Sequence, residues 1–304
     1  MEIKTISLIG LGALGAMFGQ QLQTKLEPGQ LRVIADSARI ARYQETGIYV
    51  NGERCDFDYV TPDESGQLAD LVIFAVKYAG LAAAIEAAGN QVGPQTMVLS
   101  LLNGIVSEEM LGAAFGAEKV IYCVAQGMDA RRTHNQIDYE NMGWLSIGEK
   151  NQPATSRVKA ITALFDQVGI RWETPANMEH KLWSKFMMNC GVNQSAMVYA
   201  TNYGGLQADG AAREAVLAAM QEVLALAAAE DIPLPATELA YWLNVLDQLS
   251  PASCPSMKQD ADAQRYSEVE LFSGTVCRLG KKHSIATPVN DYFYEQIQKI
   301  EADY

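Results

Sequence analysis

Lys185, Asn189 and Asn193 stand four residues apart in a stretch, 178–199, that reads as a helix. On an α-helix that spacing places one amine and two amides on a single face. Leu182, Trp183, Phe186, Met187 and Met188 surround them with apolar surface. A lysine stripped of water has a lowered pKa and can act as a general acid. Two carboxamides can hold a substrate hydroxyl or carbonyl. The same spacing also fits a solvated face with a snorkelling lysine.

A second constellation opens the chain. Ile3 to Ile9 is short, apolar and β-branched, and Gly10, Gly12 and Gly15 follow before the helix-forming Ala16-Met17-Phe18. A strand, a glycine turn and a helix in this order suit the pyrophosphate of a dinucleotide. Gly10 makes the tight turn, Gly12 keeps side chains off the phosphates, and Gly15 lets helix and strand pack closely. The amides of Ala13, Leu14 and Gly15 then face the anion at the helix N-terminus. Asp36 ends the second predicted strand, 21 positions after Gly15. A carboxylate there accepts hydrogen bonds from a ribose 2′-hydroxyl and favours NAD over NADP. Arg39, Arg42 and Lys77 are near enough to offset it, and Asp36 also suits a helix N-cap. Asn103 follows a buried strand, where open α/β sheets place ligand contacts.

Two further residues are weaker signals. Ser256 begins a predicted helix over 257–279 and reads as its N-cap. Glu268 lies twelve residues on, roughly 18 Å along a straight helix. Both can touch one small ligand only if the chain bends between them.

Alternating strands and helices must position these groups. Expected strands are 31–35, 71–76, 97–102, 120–126, 136–140, 144–147 and 170–173. A hairpin is expected over 48–60, turning at Asn51-Gly52. Helices are expected at 38–45, 79–88, 106–115 and 158–168. This pattern predicts a doubly wound α/β sheet with helices on both faces. After Thr174-Pro175 the chain reads as helices only: 178–199, 208–229, 235–249, 257–279 and 288–300. The expected organisation is a dinucleotide-binding domain over 1–174 and an all-helical substrate domain over 175–304. The active site is expected in the crevice outside the carboxyl ends of the strands.

Bulk properties exclude several classes. The net charge of −13 argues against nonspecific nucleic-acid binding and against an anionic membrane surface. No apolar run is long enough to span a bilayer. The N-terminus enters a strand directly, without a signal-peptide layout. The five widely spaced cysteines suit reduced thiols in a cytoplasmic protein. His134, His180 and His283 form no metal-ligand spacing, and no metal is expected. Helix faces in the second half permit a homodimer.

Together these residues resemble the ketopantoate reductase (2-dehydropantoate 2-reductase) family along nearly the whole chain. The resemblance rests on Gly10-Leu-Gly12-Ala-Leu-Gly15, Ala75-Val-Lys77, Asn103-Gly104, Leu182-Trp-Ser-Lys185 with Asn189 and Asn193, Pro255-Ser-Met-Lys-Gln-Asp260 with Arg265, Glu268 and Gly274, and Thr287-Pro-Val-Asn290. It implies a Rossmann-type domain followed by a helical domain like that of 6-phosphogluconate dehydrogenase. It implies NAD(P)H-dependent reduction of ketopantoate to D-pantoate in pantothenate biosynthesis. By resemblance Lys185 is the general acid and Glu268 the second catalytic-site residue. Asn103, Asn189 and Asn193 orient substrate oxygens, and Ser256 takes the carboxylate.

Two positions depart from the family pattern. Asp36 stands where the family often has arginine, and Gln194-Ser195-Ala196 where it commonly continues Pro-Leu-Thr. An NAD-dependent D-2-hydroxyacid dehydrogenase for branched or aromatic 2-keto acids therefore stays open. A 3-hydroxyacid dehydrogenase fits less well, since it usually spaces the pair Lys-x-x-Asn. A dinucleotide sensor without turnover would need neither Lys185 nor Glu268.

Overall fold

The computed structural model describes residues 2–150, 152 and 154–304. The chain divides into two compact units, Met1–Asn103 with Ser107–Met178, and Gly104–Val106 with Glu179–Tyr304. The break lies at Met178, a few residues beyond the Thr174-Pro175 boundary read from sequence.

The first unit runs β1 (Ile6–Ile9), α1 (Ala13–Gln23), β2 (Leu31–Ile34), α2 (Ser37–Thr46), β3 (Tyr49–Val50), β4 (Glu53–Arg54), β5 (Asp58–Val60) and β6 (Leu71–Phe74). It continues through α3 (Leu81–Ala88), β7 (Met97–Ser100), α4 (Ser107–Phe115), β8 (Val120–Met128), β9 (Arg131–Thr133), β10 (Gln136–Asp138), β11 (Met142–Gly148), α5 (Ser156–Val168) and β12 (Trp172–Glu173). Eight strands form the main sheet in the order β12-β11-β8-β7-β6-β1-β2-β5. From β5 to β8 the pairing is parallel, whereas β11 runs antiparallel to β8. The sheet is therefore mixed, and its order reverses around β1.

The continuous apolar strands follow from burial on both faces. Leu8, Val33, Ile73, Leu99 and Ile121 share one core cluster with Met17, Phe18 and Leu22 of α1 and Ile161 and Phe165 of α5. Ile9, Ile34, Val72, Phe74 and Val98 share the other with Leu81 and Ala84 of α3 and Leu111 of α4. Each of the larger side chains, Ala84 aside, contributes about 1.5–3 kcal/mol on burial.

The hairpin expected over 48–60 is corrected. Asn51 (φ +50°) and Gly52 (φ +81°) do make the turn between β3 and β4. The strand expected over 54–60 splits, because Cys55 and Phe57 turn into the first core cluster. β5 then leaves to pair parallel with β2. β9, rich in arginine, carried no strand signal. It pairs with β10 across a turn at His134 (φ +56°), and β10 joins β3 in a small second sheet.

A buried carboxyl gives a testable property of this unit. Ser100 Oγ donates to Ser107 Oγ (2.8 Å), which donates to Glu108 Oε2 (3.0 Å). Glu108 Oε1 is buried without a hydrogen-bond partner among the described residues. Burial pushes the Glu108 carboxyl up to about 7, against the smaller opposing effects of its own backbone N–H and the Ser107 hydroxyl. The fold thus favours the protonated form, and that stabilisation is lost as pH rises through about 7. Glu108→Gln should stabilise the protein more at about pH 8.5 than at about pH 5.5, by ~1–2 kcal/mol in urea unfolding. Equal effects at both pH values would refute the assignment.

In the second unit the described residues form helices and no strand. They are α6 (Met178–Met188), α7 (Gln194–Val198), α8 (Tyr203–Gln207), α9 (Ala211–Ala229), α10 (Thr237–Gln248), α11 (Ser256–Asp262), α12 (Thr275–His283) and α13 (Pro288–Glu301). Two expected helices are corrected. The helix over 178–199 passes through a π-helical segment at Asn189–Asn193. The one over 257–279 breaks after Asp262, with Gln264 left-handed (φ +48°), and resumes through a second π segment at Glu270–Gly274.

Candidate active site

The three glycines of the turn stand in different surroundings. Gly10 has φ +98°, and a Cβ there would lie 2.6 Å from the Ala75 carbonyl oxygen beyond β6. A Cβ on Gly15 would lie 1.9 Å from the Gly10 oxygen, so helix α1 can approach β1 only without one. Gly12 differs, because its nearest neighbour to a Cβ is the Ala75 oxygen at 3.7 Å. The protein itself leaves room there, so no contact among the described residues requires glycine at this position. α1 begins with Ala16 N–H bonded to the Gly12 carbonyl (3.0 Å). Its earlier amides, those of Ala13, Leu14 and Gly15, have no carbonyl within the helix to bond to. These features fit a dinucleotide pyrophosphate.

Arg132 was not anticipated. It comes from β9, donates from Nη1 to the Leu11 carbonyl in the glycine turn, and donates from Nε to the His134 carbonyl (2.7 Å). Burial is the main cause holding its guanidinium below the usual arginine range. Sequence reading missed it because Arg131-Arg132-Thr133 matches neither strand nor phosphate-loop patterns.

The other groups expected to meet the cofactor stand at the carboxyl ends of neighbouring strands. Asp36 follows β2 and caps α2, accepting from Arg39 N–H at 2.8 Å. Its second oxygen lies 3.4 Å from Arg39 Nε, and both side chains are exposed. Capping and a ribose-facing position are therefore compatible. The Arg42 guanidinium sits 5.3 Å from the Tyr43 ring centroid. Lys77 follows β6 and is exposed, while Asn103 follows β7 and is half-buried. The order β7-β6-β1-β2 thus gathers Asn103, Lys77, Gly10, Gly12, Gly15 and Asp36 along one sheet edge.

In the second unit, Lys185 is half-buried on α6, beside the buried Leu182, Trp183, Phe186 and Met187. Ser184 anchors this helix: it receives the Trp242 Nε1–H (2.8 Å) and donates to Glu238. His180 also reaches Glu238, at 3.2 Å. Asn189 and Asn193 are buried at 3 % and 6 % exposure. Asn193 Nδ2 donates to Asn189 Oδ1 at 3.0 Å, which leaves Asn189 Nδ2 buried with no partner among the described residues. An unpaired buried amide donor costs about 1–3 kcal/mol, and a ligand oxygen would recover it.

Ser256 and Glu268 do not share a helix. Ser256 is exposed and is the first residue of α11, with Pro255 as its cap, so the capping role expected for Ser256 is corrected. Pro255 enters the helix from an extended conformation (φ −74°, ψ 168°) and has no side chain that can cap it. Glu268 is half-buried just before the second π segment, where its carbonyl accepts from the Leu271 (2.9 Å) and Phe272 (3.2 Å) amides. Between them Arg265 Nε meets Asp260 Oδ1 at 3.0 Å.

Among the described residues no helix is long and apolar enough to cross a membrane. None of their His, Cys, Asp and Glu side chains form a group that could hold a metal.

A dinucleotide-type sheet with this glycine turn, followed by a helical unit carrying a lysine and paired amides, defines the two-part nicotinamide-dependent dehydrogenases. The family described as ketopantoate reductase PanE/ApbA matches residues 6–152, and its C-terminal counterpart matches residues 177–301. The chain belongs to this family, and it is an NAD(P)-dependent oxidoreductase acting on a CH–OH group.

Among its relatives is the 2-dehydropantoate 2-reductase of Vibrio cholerae serotype O1, 27 % identical over 238 residues that cover 78 % of this chain and 79 % of the relative. The fold is similar to that of a D-mandelate dehydrogenase solved with NADH and anilino(oxo)acetate, with TM-score 0.84, 23 % identity and coverage of 98 % and 99 % of the two chains. It is also similar to a dimeric ketopantoate reductase from Staphylococcus aureus, with TM-score 0.81, 18 % identity and coverage of 98 % and 99 %.

Proposed function

We propose that this protein reduces the C2 ketone of a 2-keto acid, with ketopantoate to D-pantoate as the leading reaction. The observation that carries this reading is the buried Asn189–Asn193 pair, with one amide donor unspent and Lys185 four residues before it. When bound, the dihydronicotinamide supplies the hydride that becomes the new C2–H bond. Lys185 Nζ stabilises the negative charge that gathers on the C2 oxygen and then gives that oxygen its proton. To do so it must be charged. Asn103, Asn189 and Asn193 orient the substrate oxygens, Ser256 takes the carboxylate, and Glu268 serves beside Lys185. A homodimer agrees with the dimeric relative.

Asp36 favours a second reading on its own account. Its carboxylate repels a 2′-phosphate, although Arg39 offsets part of that charge. NADH is therefore the expected cofactor. The D-mandelate dehydrogenase solved with NADH makes aromatic 2-keto acids the alternative substrates. Steady-state turnover of ketopantoate and of an aromatic 2-keto acid, each with NADH and with NADPH, tests both choices. The expected result is higher kcat/KM with NADH, and with ketopantoate. A preference for the aromatic acid transfers the assignment to a D-2-hydroxyacid dehydrogenase. A preference for NADPH would refute the Asp36 argument, and Asp36→Arg should then change little.

A further inference from the structure

Gln194 is completely buried and lies between the two π-helical segments of the second unit. A π turn drops one group out of the i→i−4 ladder and persists only where that group finds another partner. In the second segment, the Val269 carbonyl accepts from Gly274 N–H, five residues on, at 2.9 Å. Ser273 N–H, which would take that carbonyl in an α-helix, donates instead to Gln194 Oε1 at 3.0 Å. In the first segment, Gln194 Nε2 donates to the Cys190 carbonyl at 2.8 Å. Its other N–H goes to Asn290 Oδ1 at 3.1 Å.

The surrounding polar groups complete the web. Asn290 Oδ1 also receives Ser273 Oγ (3.2 Å), and Asn290 Nδ2 donates to Glu222 Oε2 (2.7 Å) and the Ala219 carbonyl (3.3 Å). Glu222 in turn accepts the Val289 (2.7 Å) and Asn290 (3.0 Å) amides at the start of α13. Every polar atom of the Gln194 carboxamide is used, and each π segment holds one of its partners.

We infer that Gln194 is a positioning residue: one carboxamide clips the π turn carrying Asn189 and Asn193 to the π turn that follows Glu268. The Phe186 and Phe272 rings, 6.5 Å apart, pack the same two helices but fix no register. The clip supplies the register, because its bonds are directional and buried. It holds the amide pair and Glu268 in one arrangement before substrate arrives. Its effect on turnover rests on the proposed keto-acid chemistry, whereas its effect on the backbone does not.

Two variants test it. Gln194→Met keeps the length but removes all three hydrogen bonds. Gln194→Glu keeps the acceptor for Ser273 N–H and regains a donor only when protonated. With Gln194→Met, amide exchange in 269–274 should speed up about tenfold or more, as expected for a lost buried hydrogen bond. kcat for the keto acid should fall about tenfold to a hundredfold with the NADH Kd unchanged. Gln194→Glu should recover activity as pH falls, relative to the wild-type profile, which a merely structural role would not produce. Unchanged exchange in 269–274 with Gln194→Met, or, should that variant not fold, a Gln194→Glu activity profile parallel to wild type across pH, would overturn the clip. Faster exchange with unaltered kcat and KM would overturn its positioning role. If the wild-type protein turns over no keto acid, the exchange measurement still decides the clip, and the proposed reaction fails separately.

Discussion

Lys185→Ala is expected to lower kcat for 2-keto acid reduction by about 10²–10⁴-fold, the usual contribution of a positioned general acid. NADH binding should stay within about twofold, because the cofactor features described above all belong to the first unit. The loss has a specific physical origin. Hydride addition turns a neutral ketone oxygen into an alkoxide, and in the proposed reaction the Lys185 ammonium is the cation that meets that charge. Asn189 and Asn193 are neutral and can orient the oxygen but cannot protonate it. The variant should therefore lose most of kcat and less of substrate affinity, and adding a small alkylamine should restore part of the rate. If the variant bound NADH normally and kept its rate with every keto acid tried, the assignment of Lys185 would collapse.

The second large effect separates two glycines three residues apart. Gly15→Ala should destabilise the first unit by about 3 kcal/mol or more, since the new methyl would overlap the Gly10 carbonyl oxygen at 1.9 Å. That oxygen is backbone in a tight turn and cannot rotate away. Gly12→Ala should leave the melting temperature unchanged, because its methyl would approach protein no closer than 3.7 Å. It should instead weaken NADH binding roughly tenfold to a hundredfold, by displacing the pyrophosphate from one or two charge-assisted amide hydrogen bonds. Thermal unfolding and NADH fluorescence titration read the two effects independently. A stable Gly15→Ala, or a Gly12→Ala that bound NADH as tightly as wild type, would contradict the role given to that glycine.

The glycine turn and the strands behind it were legible because their chemistry is local. A parallel strand buried on both faces announces itself as an apolar run such as Leu71–Phe74, and the three glycines follow β1 in fixed order. Asp36 was legible as the N-cap of α2, which it is. The split of the second hairpin strand was not, because Phe57 is β-forming but is claimed by a distant core. Nor was β9, whose arginines suit an exposed strand only once Gln136–Asp138 lies beside it.

In the second unit the amide stripe was visible, but its geometry was not. No periodicity in 178–199 marks the π segment. Beside it Gln194 serves a carbonyl in its own helix and an amide 79 residues away, a pairing that only the folded chain brings together. From sequence alone Gln194 was noticeable only as a departure from a familiar Pro-Leu-Thr. The break after Asp262 was half-visible, since Ser256 and Glu268 could not share a site on one straight helix.

The most direct test of the account follows the hydride itself. NADH deuterated at C4 should be oxidised on mixing with the protein and ketopantoate, and the isolated hydroxy acid should carry deuterium at C2 in the D configuration. The rate should depend on Lys185. Binding of NADH without oxidation, across ketopantoate and branched or aromatic 2-keto acids alike, would contradict 2-keto acid reduction as the activity of this protein.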